Sequence, residues 1–291
     1  VSREKQGGGF WRLGVALPSL AVAGGLGALG YLRYRFQPSR LFLPQRYPEG
    51  IWDPSPFGVE ADDQWFESAD GVRLHGWWIP HRRARGTILY CHGHTGNVSS
   101  HIGFLHHLHR VRVNILAFDY RGYGRSAGAP DEAGIYQDVQ AAWDHLLSEH
   151  GCKAEEVLLL GQSLGGAVAI DCALHRPAAG LIVQAAFTDV KDAARAAYPS
   201  LPVHMAARNQ FRSVEKVPHL ELPKLFIHGD ADEKVPLEVG RQLYEAAAEP
   251  KELYVVPHGG HNDLHILGGA RYLLKLSRFR DRCLHIDPAL Q

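Results

Sequence analysis

The chain has 291 residues with 31 Lys and Arg against 31 Asp and Glu, so no field of one sign is available to hold a nucleic acid or another polyanion. Its four cysteines, Cys91, Cys152, Cys172 and Cys283, are too few and too scattered for a disulfide scaffold and read as free thiols. Among the 18 histidines, His106, His107 and His109 crowd one stretch, but no second cluster with ligand spacing accompanies them, and neither a metal nor a cofactor is expected.

In chain order, the first feature is an uncharged apolar stretch from Leu13 to Leu32, preceded by Arg3, Lys5 and Arg12 and followed by Arg33 and Arg35. A bilayer span takes about 20 residues. The sequence therefore predicts a single-pass amino-terminal anchor over 1–33 and a membrane location, although five glycines and Pro18 make the stretch weaker than a Leu-rich span. The alternative is a secretory signal peptide, with Leu13 to Ala23 as its apolar core and Ala21-Val22-Ala23 as the cleavage site, giving a secreted protein. Positive charge on both sides leaves the orientation open.

Residues 34–63 carry Pro38, Pro44, Pro48, Pro54 and Pro56, which exclude regular helix or central strand, and read as a connector. One domain is expected over 64–291. It opens with two alternating segments, Gln64 to Glu67 and Val72 to Pro80, joined by the turn signal Ala69-Asp70-Gly71. Short apolar runs follow at Thr87 to Cys91, Val113 to Phe118, Val157 to Leu160, Leu181 to Gln184, Leu225 to Ile227 and Leu253 to Val256. Uninterrupted apolar strands imply burial on both faces, hence a parallel sheet. Helical spacing between them, as in Ala133 to Glu149, Gly165 to His175 and Leu237 to Ala248, gives an α/β fold with a doubly wound, mostly parallel sheet and antiparallel strands at its start. Functional groups then belong at the carboxyl ends of the strands. Residues 187–221, with Tyr198, Pro199, Leu201, Pro202, Val203, Met205 and Phe211, are expected to form a short helical cap.

The strongest chemical signal is Gly161-Gln162-Ser163-Leu164-Gly165-Gly166, directly after an apolar strand and before an Ala-rich helix. That is the context in which G-x-S-x-G forms a sharp turn exposing a nucleophilic serine. A serine hydroxyl needs a base, and the base needs an acid that fixes its tautomer. The loop after Leu225 to Ile227 offers Asp230, Asp232 and Glu233; the loop after Leu253 to Val256 offers His258 and His261. An oxyanion hole needs two backbone N–H groups. Leu164 follows the serine, and His94, in the loop His92-Gly93-His94-Thr95-Gly96-Asn97, is assigned the second.

Together with Asp119-Tyr120-Arg121-Gly122-Tyr123-Gly124-Arg125-Ser126, His228-Gly229-x-x-Asp232 and Gly260-His261-Asn262-Asp263, these motifs make the chain resemble the α/β-hydrolase superfamily, and within it the small membrane-anchored hydrolases of the bud-emergence-suppressor type. The resemblance implies Asp232 as the acid and His261 as the base, with Asp230 and His258 as neighbours. It departs from the family pattern at His94-Thr95, where Asn-Ala is more common. It implies an esterase or thioesterase working through an acyl-enzyme on Ser163. The expected substrates are a small apolar ester, a lipid ester or an S-acylated protein. Alternatives are a serine peptidase with the same triad and a non-catalytic membrane scaffold. The segment Asp119 to Ser126 reads as a structural turn.

Overall fold

The computed structural model describes residues 41–197 and 210–286. Ten strands occur among them: β1 (Leu43–Pro44), β2 (Asp62–Glu67), β3 (Arg73–Ile79), β4 (Thr87–Cys91), β5 (Thr95–Gly96), β6 (Asn114–Asp119), β7 (Val157–Gln162), β8 (Gly180–Gln184), β9 (Lys224–Gly229) and β10 (Lys251–Val256). The helices are α1 (Ile102–His109), α2 (Glu132–Glu149), α3 (Leu164–His175), α4 (Val190–Ala197), α5 (Ser213–Lys216), α6 (Leu237–Ala246) and α7 (Leu264–Cys283).

Each apolar run becomes a strand of one eight-stranded sheet, in the order β2-β3-β6-β4-β7-β8-β9-β10. The β2–β3 and β3–β6 pairs are antiparallel and the rest are parallel. Strand and helix alternate, and apolar side chains on the two faces of the sheet enter two separate core clusters: Leu159 sits in one, Leu158 and Leu160 in the other. This is the burial on both faces that continuous apolar strands demand. Several strands run past their apolar cores into polar residues at the carboxyl end, Gln162 in β7, Gln184 in β8 and His228 in β9. Backbone pairing, rather than side-chain polarity, sets where these strands stop.

The chain order reverses around β4, which has β6 on one side and β7 on the other. A crevice opens where the connections to such neighbours leave in opposite directions. Cys91, the last residue of β4, pairs with Gly161 of β7, so the loops that follow both strands start side by side. Residues 41–61 do not hang free. Phe42 and Val59 are buried, and β1 pairs with β5 in the loop after β4.

The Asp119 to Ser126 segment is a turn held by buried charge. Arg121 donates from Nε and Nη2 to Asp138 Oδ1 at 3.0 and 2.8 Å, and from Nη1 and Nη2 to Asp70 at 2.8 and 3.0 Å. Burial raises the Asp138 carboxyl, while the Arg121 bonds and charge pull it back. Removing one partner of a buried pair strands the other charge, so Arg121→Ala is expected to cost about 3–5 kcal/mol in urea denaturation. A loss below 1 kcal/mol would show that solvent reaches this pair.

The stretch Leu13 to Leu32 lies outside the described residues, as does the connector up to residue 40. The membrane location expected from it is corrected: among the described residues no helix is long and apolar enough to cross a membrane. The signal-peptide alternative concerns the same residues. Of the expected cap, residues 198–209 are likewise outside the description, and α4 and α5 border that gap.

Candidate active site

The elbow forms because glycines stand where side chains would collide. A Cβ on Gly161 would strike the Gly165 carbonyl, and one on Gly165 would strike the Cys91 carbonyl. Strand β7 can therefore turn straight into α3 against β4. Ser163, at the corner, has φ 55° and ψ −119°. This conformation costs a non-glycine residue about 1–3 kcal/mol and survives because its surroundings impose it. Ser163 N–H donates to Gln184 O at 2.8 Å, and the Ser163 carbonyl accepts from Gly166 N–H at 2.9 Å.

The side chains of Ser163, His261 and Asp232 come together in one hydrogen-bonded chain. His261 Nε2 lies 3.1 Å from Ser163 Oγ, and its Nδ1 lies 2.8 Å from Asp232 Oδ2. Asp232 Oδ1 accepts the N–H groups of Lys234 and Val235, both at 2.9 Å, so the carboxylate is fixed before it meets the imidazole. Burial pushes its pKa up, but the bond and charge of His261, the Val235 N–H and the His228 charge outweigh burial and hold it below the usual carboxylate range. An ionised Asp232 requires His261 to carry its proton on Nδ1, which leaves Nε2 free to accept from the serine.

Asp230 and His258 tie the two loops to each other outside the triad: Asp230 Oδ1 accepts His258 N–H at 2.6 Å. Two residues that sequence reasoning passed over hold the acid and base loops. His228 donates from Nε2 to Val235 O at 2.8 Å behind Asp232. Gln162 donates from Nε2 to His261 O at 3.4 Å and to Asn262 Oδ1 at 3.3 Å. Gln162 sits inside the elbow motif and His228 opens the acid motif, so position flagged both; only the packing gives them something to hold.

The loop after β4 brings Gly93 to the serine, so that a Cβ placed on Gly93 would lie 3.7 Å from Ser163 Cβ. His92 Nδ1 donates to Gly93 O at 2.7 Å. The Gly93–His94 peptide is trans, so with its carbonyl pinned on the His92 ring its N–H points the other way. Leu164 is the first residue of α3, where an N–H has no intrahelical acceptor. The His94 carbonyl accepts from Leu43 N–H at 2.9 Å and the Tyr123 hydroxyl at 2.8 Å, which fixes the loop from outside.

Ser163, His261, Gln162, Gly93 and His94 line a cleft of about 470 Å³ with His101, Phe104, Lys234 and His265. Among its described lining residues Phe104 is the one large apolar side chain. A second cleft, about 970 Å³, lies at the amino ends of β4 and β7 near Thr87 and Cys152 and holds none of the three catalytic candidates. All four cysteines are free, and burial pushes the Cys91 thiol up. Among the described residues no group of three or more His, Cys, Asp or Glu is placed to hold a metal ion.

Burial, with neighbouring positive groups, holds His92 down to about 3 and His94 and His101 to about 4. An unfolded histidine titrates near about 6.5. Below that value the unfolded chain binds protons that the fold refuses, so this stability is complete above about pH 6.5 and falls as pH drops, by up to about 1.4 kcal/mol per unit for each group. Asp232, being depressed, contributes loss only below about pH 4. The urea midpoint is therefore expected to fall between pH 7 and pH 5. A flat midpoint over that range would mean that these rings protonate within the fold.

Comparison with known proteins agrees with the architecture. A family model described as serine aminopeptidase, S33, matches residues 82–212. An uncharacterized protein of Mycobacterium tuberculosis is 34% identical over 270 residues, covering 91% of this chain and 94% of its own length. The alpha/beta hydrolase domain-containing protein WAV2 of Arabidopsis thaliana is 31% identical over 240 residues, covering 75% of this chain and 78% of its own. A solved esterase structure from Pyrococcus furiosus superimposes with a TM-score of 0.71 at 20% identity, over 83% of this chain and 98% of that one. At that identity the likeness speaks for the fold, while the sequence relatives carry the family. With its parallel sheet, elbow and strand-end loops, the chain belongs to the α/β-hydrolase superfamily.

Proposed function

We propose that the protein is a serine hydrolase that cleaves carboxylic esters through an acyl-enzyme on Ser163. The observation that carries this reading is the continuous chain from Ser163 Oγ through His261 to the ionised Asp232, with contacts of 3.1 and 2.8 Å. Ser163 Oγ attacks the ester carbonyl while His261 Nε2 takes its proton. The N–H groups of Leu164 and His94 hold the oxyanion, and His261 then gives the proton to the departing alkoxide. Water attacks the acyl-enzyme with His261 again as base, and free acid leaves. The positive end of α3 points at the same oxygen.

A thioester would pass through the same acyl-enzyme. The polar lining of the described cleft favours an oxygen ester with polar parts over a long acyl chain on a protein thiol. A second reading is a serine peptidase, favoured by the family model's description as a serine aminopeptidase. Purified protein is to be treated with a fluorophosphonate probe and assayed with p-nitrophenyl butyrate, a butyryl thioester and an aminoacyl p-nitroanilide. Labelling at Ser163 with turnover of the ester supports the esterase. Turnover of the anilide alone supports the peptidase, and folded protein that neither labels nor turns over defeats both.

A further inference from the structure

The donor and acceptor order of a buried chain behind the elbow fixes the chemistry of one wall of the cleft. Gln162 Nε2 faces two acceptors, His261 O and Asn262 Oδ1, so its amide cannot be turned round and its Oε1 faces Tyr90. The Tyr90 hydroxyl donates to that Oε1 at 3.1 Å. Tyrosine has one hydroxyl proton, and it is spent there. At its other contact, 3.0 Å from His101 Nδ1, the Tyr90 oxygen must accept, so His101 carries its proton on Nδ1. Its Nε2 is then a bare lone pair.

That Nε2 is buried and has no hydrogen-bond partner, and the His101 ring lines the cleft that holds Ser163. His265 lines the same cleft, and its Nδ1 is also buried without a partner. An unsatisfied buried acceptor costs about 1–3 kcal/mol and gains most from a group that brings a donor. Burial and the nearby His265 push His101 down to about 4, so it stays an acceptor at neutral pH. A carboxylate or phosphate would meet lone pair with lone pair, and an alkyl group would leave the nitrogen orphaned. A hydroxyl brings the proton that His101 Nε2 can accept.

We propose that the cleft beside Ser163 holds a hydroxyl group of the substrate on His101 Nε2, which makes the enzyme selective for hydroxylated esters over isosteres carrying methyl in place of hydroxyl. This rests on the esterase reading above. The test measures kcat/KM for two pairs, each corrected for its alkaline hydrolysis rate: 2-hydroxyethyl butyrate against propyl butyrate, and methyl 3-hydroxybutyrate against methyl 3-methylbutyrate. The first pair places the hydroxyl in the alcohol, the second in the acyl group.

One pair is expected to favour the hydroxy ester about tenfold, the discrimination a single neutral hydrogen bond supplies. The preference is expected to shrink toward unity in His101→Phe. It is also expected to shrink in Tyr90→Phe, which keeps the ring packing and frees the tautomer. Because the readout is a ratio within one protein, a general loss of activity or stability does not imitate it. Turnover of all four esters without preference, or a preference that survives both variants, overturns the inference and leaves the esterase standing. No turnover of any of the four overturns the inference, and no turnover of p-nitrophenyl butyrate either overturns both.

Discussion

Ser163→Ala is expected to lower kcat for p-nitrophenyl butyrate by roughly 10⁴–10⁶-fold and to abolish fluorophosphonate labelling, with the fold intact. The size follows from what is lost. Without Oγ no acyl-enzyme forms, and the Leu164 and His94 amides can only assist direct attack by water. Alanine keeps the Cβ in the corner that Ser163 occupies at φ 55°, so the backbone strain is unchanged and stability should move little. Activity within tenfold of the parent would place the nucleophile elsewhere.

Asp232→Asn is expected to cost about 10³–10⁴-fold in kcat, whereas Asp230→Asn should cost little. An amide at Asp232 can turn an N–H toward His261 Nδ1, and the imidazole then carries its proton on Nε2, pointing at a serine whose proton it can no longer take. The contacts that hold the side chain, from the Lys234 and Val235 N–H groups, go to Oδ1 and survive in asparagine. The effect therefore falls on protonation rather than on loop geometry, and it should appear in kcat with KM little changed. Asp230 Oδ1 accepts the His258 N–H, and an asparagine oxygen can do the same. Equal losses in the two variants would mean that the acid loop, not one carboxylate, is what catalysis needs.

Much of the fold was legible because the period of the sequence matches the burial of the strands. Each predicted apolar run is a strand, and the expected helices over 133–149, 165–175 and 237–248 match α2, α3 and α6 to within about two residues. What the runs missed were the polar ends, as in Gln162 and His228, whose strand character comes from pairing with neighbours. The prolines of residues 34–63 read as a connector without regular helix or central strand. Yet Phe42 and Val59 bury themselves in the body, since an irregular backbone can still deliver an apolar side chain to a core. The apolar stretch near the amino terminus shows the opposite hazard, because hydropathy over 13–32 reports length and composition and not what the segment does.

By itself the sequence determined the elbow. Glycines at 161 and 165, between an apolar strand and a helix, let the backbone turn tightly against β4 where any side chain would collide, and Ser163 stands at that corner. It offered three carboxylates and two histidines for the remaining roles, and resemblance rather than spacing favoured Asp232 and His261. Tertiary structure alone decided which of these side chains meet, because the acid and base loops come from separate strands, β9 and β10, and only the register of the sheet sets their heights. It alone decided the polarity of the cleft wall as well. A histidine is donor or acceptor according to the partner on its other nitrogen, and for His101 that partner is Tyr90, a residue of β4 whose hydroxyl proton is already committed to Gln162.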